Sequence, residues 1–295
     1  NRVLRRALLR RLAALPNVTM VTGAKLRRLD RGRVSVEAET NGGVRITAPL
    51  VVATDGRASP TRSQAGIDIV SWNYNQTGIV CTVAHQFDHR GIAQERFLPA
   101  GPFAILPMTE NRASIVWTEQ TSDAAHLMAM ADDAFLAELE ARFGDYLGAL
   151  EVAGPRFSYP LALTHSNRYA GERLALAGDA AHAIHPLAGQ GFNLGVRDVA
   201  VLAELIVDRA RLGLDIGAPD LLAHYERWRR FDTMSLIAVT DGLNRLFSND
   251  IAPLRVARDL GLAAVNRTPR LKRLFMRHAM GSVGELPRLA RGEPL

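Results

Sequence analysis

The residues best suited to bind a cofactor follow one short predicted strand. The apolar run Arg173–Ala177 ends at Gly178 and Asp179, where a carboxylate can accept hydrogen bonds from sugar hydroxyls. Further glycines follow, and they let the backbone approach a ligand closely and adopt positive φ. A long helical pattern starts near Gly191, and the positive end of such a helix favours an electron-rich group. Strand, acidic turn, glycine loop and helix together predict one wall of a dinucleotide-cofactor site.

The spacing of the glycines excludes one role for this loop. It reads Gly189-x-Gly191-x-x-x-Gly195 and begins a dozen residues after the strand, whereas the fingerprint Gly-x-Gly-x-x-Gly follows its strand at once. The loop is therefore not an ADP-binding turn, and no other stretch of this sequence has that fingerprint. Pro186 is rigid and lacks an N–H donor, and Asn193 can pair with the amide edge of a ring. We expect the loop to face a flat ring.

A second candidate motif follows the apolar segment Pro49–Thr54, which predicts a fully buried strand. Asp55, Gly56 and Arg57 come directly after it, at the strand end where open α/β sheets bind ligands. Ser59 is suited to cap a short helix with proline in its first turn. The alternative interpretation is a plain strand-to-helix turn.

Composition limits the classes of function. The chain has 295 residues, 47% of them hydrophobic, and a formal charge of +6 that comes almost entirely from arginine. The arginines are scattered rather than interleaved with aromatic residues, so we expect no nucleic-acid partner. The single cysteine, Cys81, excludes an internal disulfide and a cysteine metal site, and we predict no metal. No run of 18 apolar residues predicts a membrane span.

The periodicity of the chain predicts a mixed α/β fold with three regions. A partial doubly wound α/β domain is expected at 1–69 and 151–212, with an antiparallel meander at 25–47. A β-sheet subdomain is expected at 70–150, and a C-terminal helical region at 213–295. Helical patterns are expected at 2–15, 123–150, 191–211, 219–246, 252–264 and 269–279. Val18–Val21 is interpreted as a short buried strand.

Two motifs carry a resemblance to a known family. GDAAHAIHPLAGQGFNLGVRD (178–198) resembles the second FAD motif of class A flavin-dependent aromatic monooxygenases, and ATDGRASPTR (53–62) resembles their Asp-Gly motif. ERFLPAGPFAILPM (95–108) and SIVWTE (114–119) are similar to the branch of ubiquinone-biosynthesis hydroxylases. The resemblance implies FAD as cofactor, bound by the doubly wound domain at 1–69 and 151–212, and NAD(P)H as co-substrate. The cofactor-binding residues that it implies are Asp55, Gly56, Arg57, Gly178, Asp179, Pro186, Gly189, Gln190, Gly191, Phe192 and Asn193.

The resemblance also implies an activity. NAD(P)H would reduce the flavin, O₂ would add to give a C4a-hydroperoxide, and one oxygen atom would pass to a polyprenylated phenol. By analogy the sheet at 70–120 would form the substrate wall. No residue stands out as a base for the phenol, so the catalytic residues stay unknown. The alternatives are a hydroxylase of another aromatic compound and a truncated, non-catalytic assembly subunit.

The sequence departs from the family at its start. Family members begin with a βαβ unit that carries Gly-x-Gly-x-x-Gly, whereas this chain opens at Asn1 in a helical pattern. We therefore expect either a fragment of a longer hydroxylase or a natural truncation. We expect a cytoplasmic location. The basic amphipathic segment 269–279 is compatible with peripheral contact with the inner face of a membrane or with a quinone-biosynthesis complex. Core packing with solvated arginines is the alternative.

Overall fold

A computed structural model describes residues 2–184, 189–247, 265–270, 272, 273, 276 and 284–295. The fold is mixed α/β, as predicted. The helices are α1 (Arg2–Ala13), α2 (Pro60–Gln64), α3 (Thr121–Ala129), α4 (Asp132–Phe143), α5 (Gly191–Arg211) and α6 (Pro219–Phe247). The helix predicted at 252–264 and part of that at 269–279 lie outside the described residues. Among the described residues, no helix is long and apolar enough to cross a membrane.

The strands form three sheets. They are β1 (Leu26–Arg31), β2 (Val36–Thr40), β3 (Arg45–Ala48), β4 (Val51–Ala53), β5 (Ile69–His85), β6 (Gln94–Leu98), β7 (Gly101–Met108), β8 (Arg112–Gln120), β9 (Leu150–Val152), β10 (Phe157–Ser166), β11 (Ala170–Gly171), β12 (Leu174–Leu176) and β13 (His182–Ala183).

The predicted meander is confirmed as the antiparallel sheet β1-β2-β3. Its second turn passes through Asn41-Gly42-Gly43, and Gly43 has φ +78°, a conformation that glycine adopts without strain. The strand predicted at Val18–Val21 is wrong. These residues lie in no strand, and Met20 and Val21 are exposed. An apolar run of four residues does not form a strand without a neighbouring strand to pair with.

The largest sheet has the order β13-β10-β5-β8-β7-β6, with β9 paired to β5, and its pairs are antiparallel. One face packs against α3 and α4 and buries a core that includes Ile79, Ile115 and Trp117. The single helix predicted at 123–150 is wrong. It is two helices followed by β9, and the chain is extended at Met130 and Ala131. The domain boundaries stay predictions. The topology adds that β10, which follows residue 150, pairs with β5 of this sheet.

The third sheet, β11-β12-β4, positions the candidate site. β12 pairs with β4 in parallel, and both strands are short and apolar. α5 and α6 pack against this sheet, where Leu174, Val201 and Tyr225 are fully buried. The Tyr225 hydroxyl donates a hydrogen bond of 2.7 Å to the Leu176 carbonyl, which fixes α6 to the end of β12.

Candidate flavin-binding site

The parallel pairing of β4 and β12 brings both sequence motifs to one sheet edge. Ala53 lies opposite Leu176, and the Ala177 amide donates a hydrogen bond of 3.0 Å to the Ala53 carbonyl. Because the carboxyl ends of parallel strands meet at the same edge, the Asp-Gly motif and the Gly178–Asp179 turn are neighbours there. This edge is where ligands bind in open α/β sheets.

In the Asp-Gly motif, the carboxylate of Asp55 is hydrogen-bonded to the start of α2. It accepts hydrogen bonds from the Ser59 hydroxyl and from the Thr61 amide, the latter at 3.0 Å. Partial burial would raise the pKa of Asp55, but these hydrogen bonds outweigh it and lower the pKa. Ser59 caps α2 as predicted, since its hydroxyl accepts from the Arg62 amide. Gly56 has φ +85°, and Arg57 is exposed at the edge.

Arg62 joins the two motifs and was missed at the level of the sequence. Its side chain is buried, and its guanidinium donates hydrogen bonds of 2.8 Å to the carbonyls of Ala180 and Arg57. Ala180 directly follows Asp179, so one cation spans the Asp-Gly motif and the acidic turn. The only sequence signal was an arginine in a short capped helix, and that signal does not reveal burial.

The acidic turn presents Asp179 outward. Gly178–Ala180 forms a short 3-10 helix in which Gly178 has φ +60° and the Asp179 side chain is exposed. A Cβ on Gly195 would lie 3.3 Å from the Gly178 Cα, so glycine at both positions permits close contact between the turn and α5. The structure therefore holds an outward-facing carboxylate at the sheet edge.

The two glycines at the start of α5 are not crowded by any of the described residues. Gly189 has φ +60°, and a Cβ built on either Gly189 or Gly191 would meet no atom of the described residues within 4 Å. Gln190 is buried, and its side-chain oxygen accepts a hydrogen bond of 3.2 Å from Asn193 Nδ2. Phe192 is exposed on the first turn of the helix. Pro186 lies outside the described residues.

These features fit a flavin. A flat ring needs backbone without side chains in its path, and no described residue crowds Gly189 or Gly191. The first turn of α5 offers N–H groups that have no intrahelical partner. The ribityl chain needs a hydrogen-bond acceptor, and the exposed Asp179 carboxylate supplies one.

A buried ionic network lies directly behind the acidic turn. Asp198 on α5 accepts hydrogen bonds of 2.7 Å from His182 Nε2 and from Arg229 Nε. Arg229 also binds Asp232 at 2.8 Å. Burial would raise the pKa of Asp198, but the hydrogen bond from His182 and the charge of Arg229 outweigh it and lower the pKa. His182 lies in the 178–198 motif, and the sequence alone assigned it no role. In the structure its ring contacts Asp198.

Comparison with a solved structure defines the class of fold. The crystal structure of p-nitrophenol 4-monooxygenase PnpA from Pseudomonas putida DLL-E4 matches 92% of this chain and 69% of its own, with a TM-score of 0.75 and 21% sequence identity. At that identity the likeness shows a shared fold. The chain therefore shares the fold of this monooxygenase.

The family model described as FAD binding domain matches residues 2–238. A ubiquinone hydroxylase of Rhodospirillum rubrum is 56% identical over the whole chain, which covers 70% of that protein. The 3-demethoxyubiquinol 3-hydroxylase of Escherichia coli is 37% identical over 95% of the chain, which covers 72% of that protein. The chain belongs to the FAD binding domain family, among the ubiquinone-biosynthesis hydroxylases. The family predicted from the motifs is confirmed, and its cofactor is FAD.

Proposed function

We propose that this chain is part of a flavin-dependent monooxygenase that hydroxylates a polyprenylated phenol in ubiquinone biosynthesis, with NAD(P)H and O₂ as co-substrates. The observation that carries the proposal is the sheet edge where an exposed acidic turn and an open glycine loop meet. The similarity to ubiquinone hydroxylases along the whole chain supports the substrate class.

In this proposal each site residue has a task. Asp179 binds the ribityl hydroxyls, and the backbone of Gly189 and Gly191, with Asn193, orients the ring. Gly178, Gln190 and Phe192 shape that wall, and Pro186 is placed beside the ring by resemblance alone. Asp55, Gly56 and Arg57 hold FAD and guide the nicotinamide cofactor. When bound, FAD supplies the redox and oxygen-transfer chemistry.

The large sheet offers a surface suited to a prenylated substrate. The face away from α3 and α4 carries a cross-strand row in which Phe157 pairs with Val80, Val80 with Val116, and Val116 with Ala104. Phe157 is exposed and the other three are half-buried. An apolar, accessible row can bury an isoprenoid chain, and roughly 25 cal/mol per Å² of covered apolar surface would favour that contact. This supports residues 70–150, with β10 added, as the substrate-binding part.

We also propose peripheral association with an acidic membrane surface. Arg267, Arg270, Lys272 and Arg273 are exposed and close together in the chain. Clustered basic side chains are attracted to anionic lipids, and the prenylated substrate resides in lipid. Co-sedimentation with phosphatidylglycerol vesicles but not with phosphatidylcholine vesicles is expected. Equal sedimentation with both would contradict the association.

The function is tested with the purified full-length protein. We expect bound flavin that is visible by absorbance, and Asp179→Ala is expected to lose it because the ribityl chain loses its acceptor. Asp133→Ala, an exposed carboxylate on α4, is the matched control and should retain flavin. Deletion of the gene should lead to accumulation of a non-hydroxylated quinone precursor. Unchanged quinone with flavin bound would favour a hydroxylase of another aromatic compound, and a protein that cannot bind FAD would favour an assembly subunit.

A further inference from the structure

One buried carboxylate connects the elements around the acidic turn. Asp198 Oδ2 accepts two hydrogen bonds, from the Gly178 amide at 2.8 Å and from His182 Nε2 at 2.7 Å. Its Oδ1 accepts a third bond, of 2.7 Å, from Arg229 Nε. The side chains of Asp198 and Arg229 are 0% exposed, so water does not substitute for any of these contacts. A single side chain thus holds the turn after β12, strand β13 and helix α6.

The contact with Gly178 has a geometric consequence for Asp179. Gly178 directly precedes Asp179, and its φ of +60° sets the direction in which the chain enters the 3-10 turn. On α5, Gly195 lies against the Cα of Gly178, and Asp198, three residues further on, bonds its amide. The turn is therefore held by packing and by a hydrogen bond to the same helix. That helix begins at Gly191, so the acidic turn and the glycine loop share one support.

The ion pair explains why a carboxylate can be buried here, but it does not explain the two donors at Oδ2. Arg229 balances the charge of Asp198 and also binds Asp232, which Arg197 approaches at 3.9 Å. The charges of these two carboxylates and two guanidiniums sum to zero. The ion pair with Arg229, which balances the charge of Asp198, uses only Oδ1. The two contacts at Oδ2 instead hold the Gly178 amide of the turn and His182 of β13.

We propose that Asp198 is a positioning residue of the flavin site, and that its Oδ2 holds the Gly178 amide so that the Asp179 carboxylate faces the cofactor. The proposal rests on the proposed function, because it takes Asp179 to be the group that contacts FAD. Asp198 itself touches neither cofactor nor substrate. Its effect on binding passes through the conformation of Gly178.

The first test is Asp198→Asn in the full-length protein. The amide has one acceptor and one donor end, and the charged Arg229 Nε is expected to take the oxygen. The NH₂ group then faces the Gly178 amide, so that hydrogen bond is lost. Losing a bond from a backbone amide to a charged acceptor should speed hydrogen exchange at Gly178 and weaken FAD binding by about tenfold each.

The second test is the double variant Asp198→Asn with Arg229→Gln. No charge now dictates how the amide introduced at position 198 is oriented, so its oxygen can return to Gly178. Its NH₂ group can then donate to the side-chain oxygen introduced at position 229. We expect slow exchange at Gly178 and FAD affinity to recover although the ion pair is gone. A purely structural role of the ion pair predicts the opposite, since both variants would then be impaired alike.

The readouts are hydrogen exchange at Gly178 without FAD, the FAD dissociation constant from flavin fluorescence, and the melting temperature. Asp208→Asn, an exposed carboxylate on the same helix paired with Arg288, is the control and should change neither exchange at Gly178 nor FAD affinity. Unchanged exchange in a folded single variant, or fast exchange in a folded double variant, would overturn the proposal. If the single variant does not fold, the double variant decides alone. A wild-type protein that fails to bind FAD would refute the proposed function, while exchange at Gly178 would still decide whether Asp198 holds the turn.

Discussion

Replacing Arg62 with methionine should separate the two motifs at the sheet edge. Arg62 is 4% exposed, and its guanidinium donates to the carbonyls of Ala180 and Arg57, both at 2.8 Å. Methionine has a similar length and fills the same space without a donor. The substitution therefore removes the bridge and leaves the apolar packing of the stem largely intact.

The expected loss of stability depends on which hydrogen-bond partners each carbonyl retains. A hydrogen bond from a charged donor contributes about 1.5–3 kcal/mol. The Ala180 carbonyl keeps the Ser166 hydroxyl at 3.2 Å, and the Arg57 carbonyl belongs to an exposed residue that water can reach. Both losses are therefore near the lower end, about 1.5 kcal/mol each, and we expect Arg62→Met to lower the free energy of unfolding by about 3 kcal/mol. Arg62→Lys can keep one of the two bonds, so about half that loss is expected.

Urea unfolding followed by circular dichroism measures this cost. Arg168→Met is the matched control, because Arg168 is exposed and its replacement should change the free energy of unfolding by less than about 0.5 kcal/mol. If Arg62→Met proved as stable as Arg168→Met, the bridge between the motifs would contribute nothing and the reasoning would be refuted.

Two further perturbations test other parts of the fold. Gly217→Ala should destabilise the protein by more than about 3 kcal/mol, because its Cβ would clash with the Pro49 carbonyl oxygen and with Arg173 Nη1. Gly242→Ala, with open space on α6, should be neutral or stabilising by up to about 1 kcal/mol, and equal melting temperatures for the two variants would contradict the clash. Burial, with the charges of Arg230 and His182, lowers the pKa of His165 from 6.5 to about 4. The unfolded chain thus binds more protons between these values, and stability, complete above pH 6.5, should fall by up to about 3 kcal/mol as the pH drops to 4. Urea unfolding across that range should show a shallower slope for His165→Gln, and an identical slope would exclude His165 as the source.

Features set by local chemistry were predictable from the sequence. The turn Asn41-Gly42-Gly43, the cap at Ser59 and the glycine loop before α5 each depend on residues a few positions apart. The sheet expected at 70–120 is present as β5 to β8, because its apolar runs are bounded by turn residues. The family was predicted from the 178–198 motif, whose residue types match a cofactor rather than a core.

Features set by distant contacts were not predictable. The helical period of α5 predicts an apolar face with Val196, Val199 and Leu202, but the two valines are about half exposed and Asp198 is buried instead. Hydrophobic periodicity treats a carboxylate as a polar residue and therefore predicts that it is exposed. The partners that permit its burial, His182 and Arg229, lie 16 and 31 positions away.

The break between α3 and α4 has the same kind of origin. Neither glycine nor proline marks Met130 or Ala131. Arg156, which lies just before β10, donates hydrogen bonds to the carbonyls of Leu127 and Met130 at the end of α3. A side chain 26 positions away therefore satisfies the helix end, and no local pattern could show it.

The parallel pair of β4 and β12 has a consequence for the entropy of the chain. Its partners, such as Val51 and Leu174, are more than a hundred positions apart, and joining them in an otherwise flexible chain would cost about 4 kcal/mol of loop-closure free energy. Three residue pairs cannot offset that cost alone. The intervening large sheet, once folded, shortens the effective loop by holding its ends near each other. Folding of the large sheet therefore lowers the entropic cost of pairing β4 with β12, and the stability of this sheet edge is coupled to that of the large sheet.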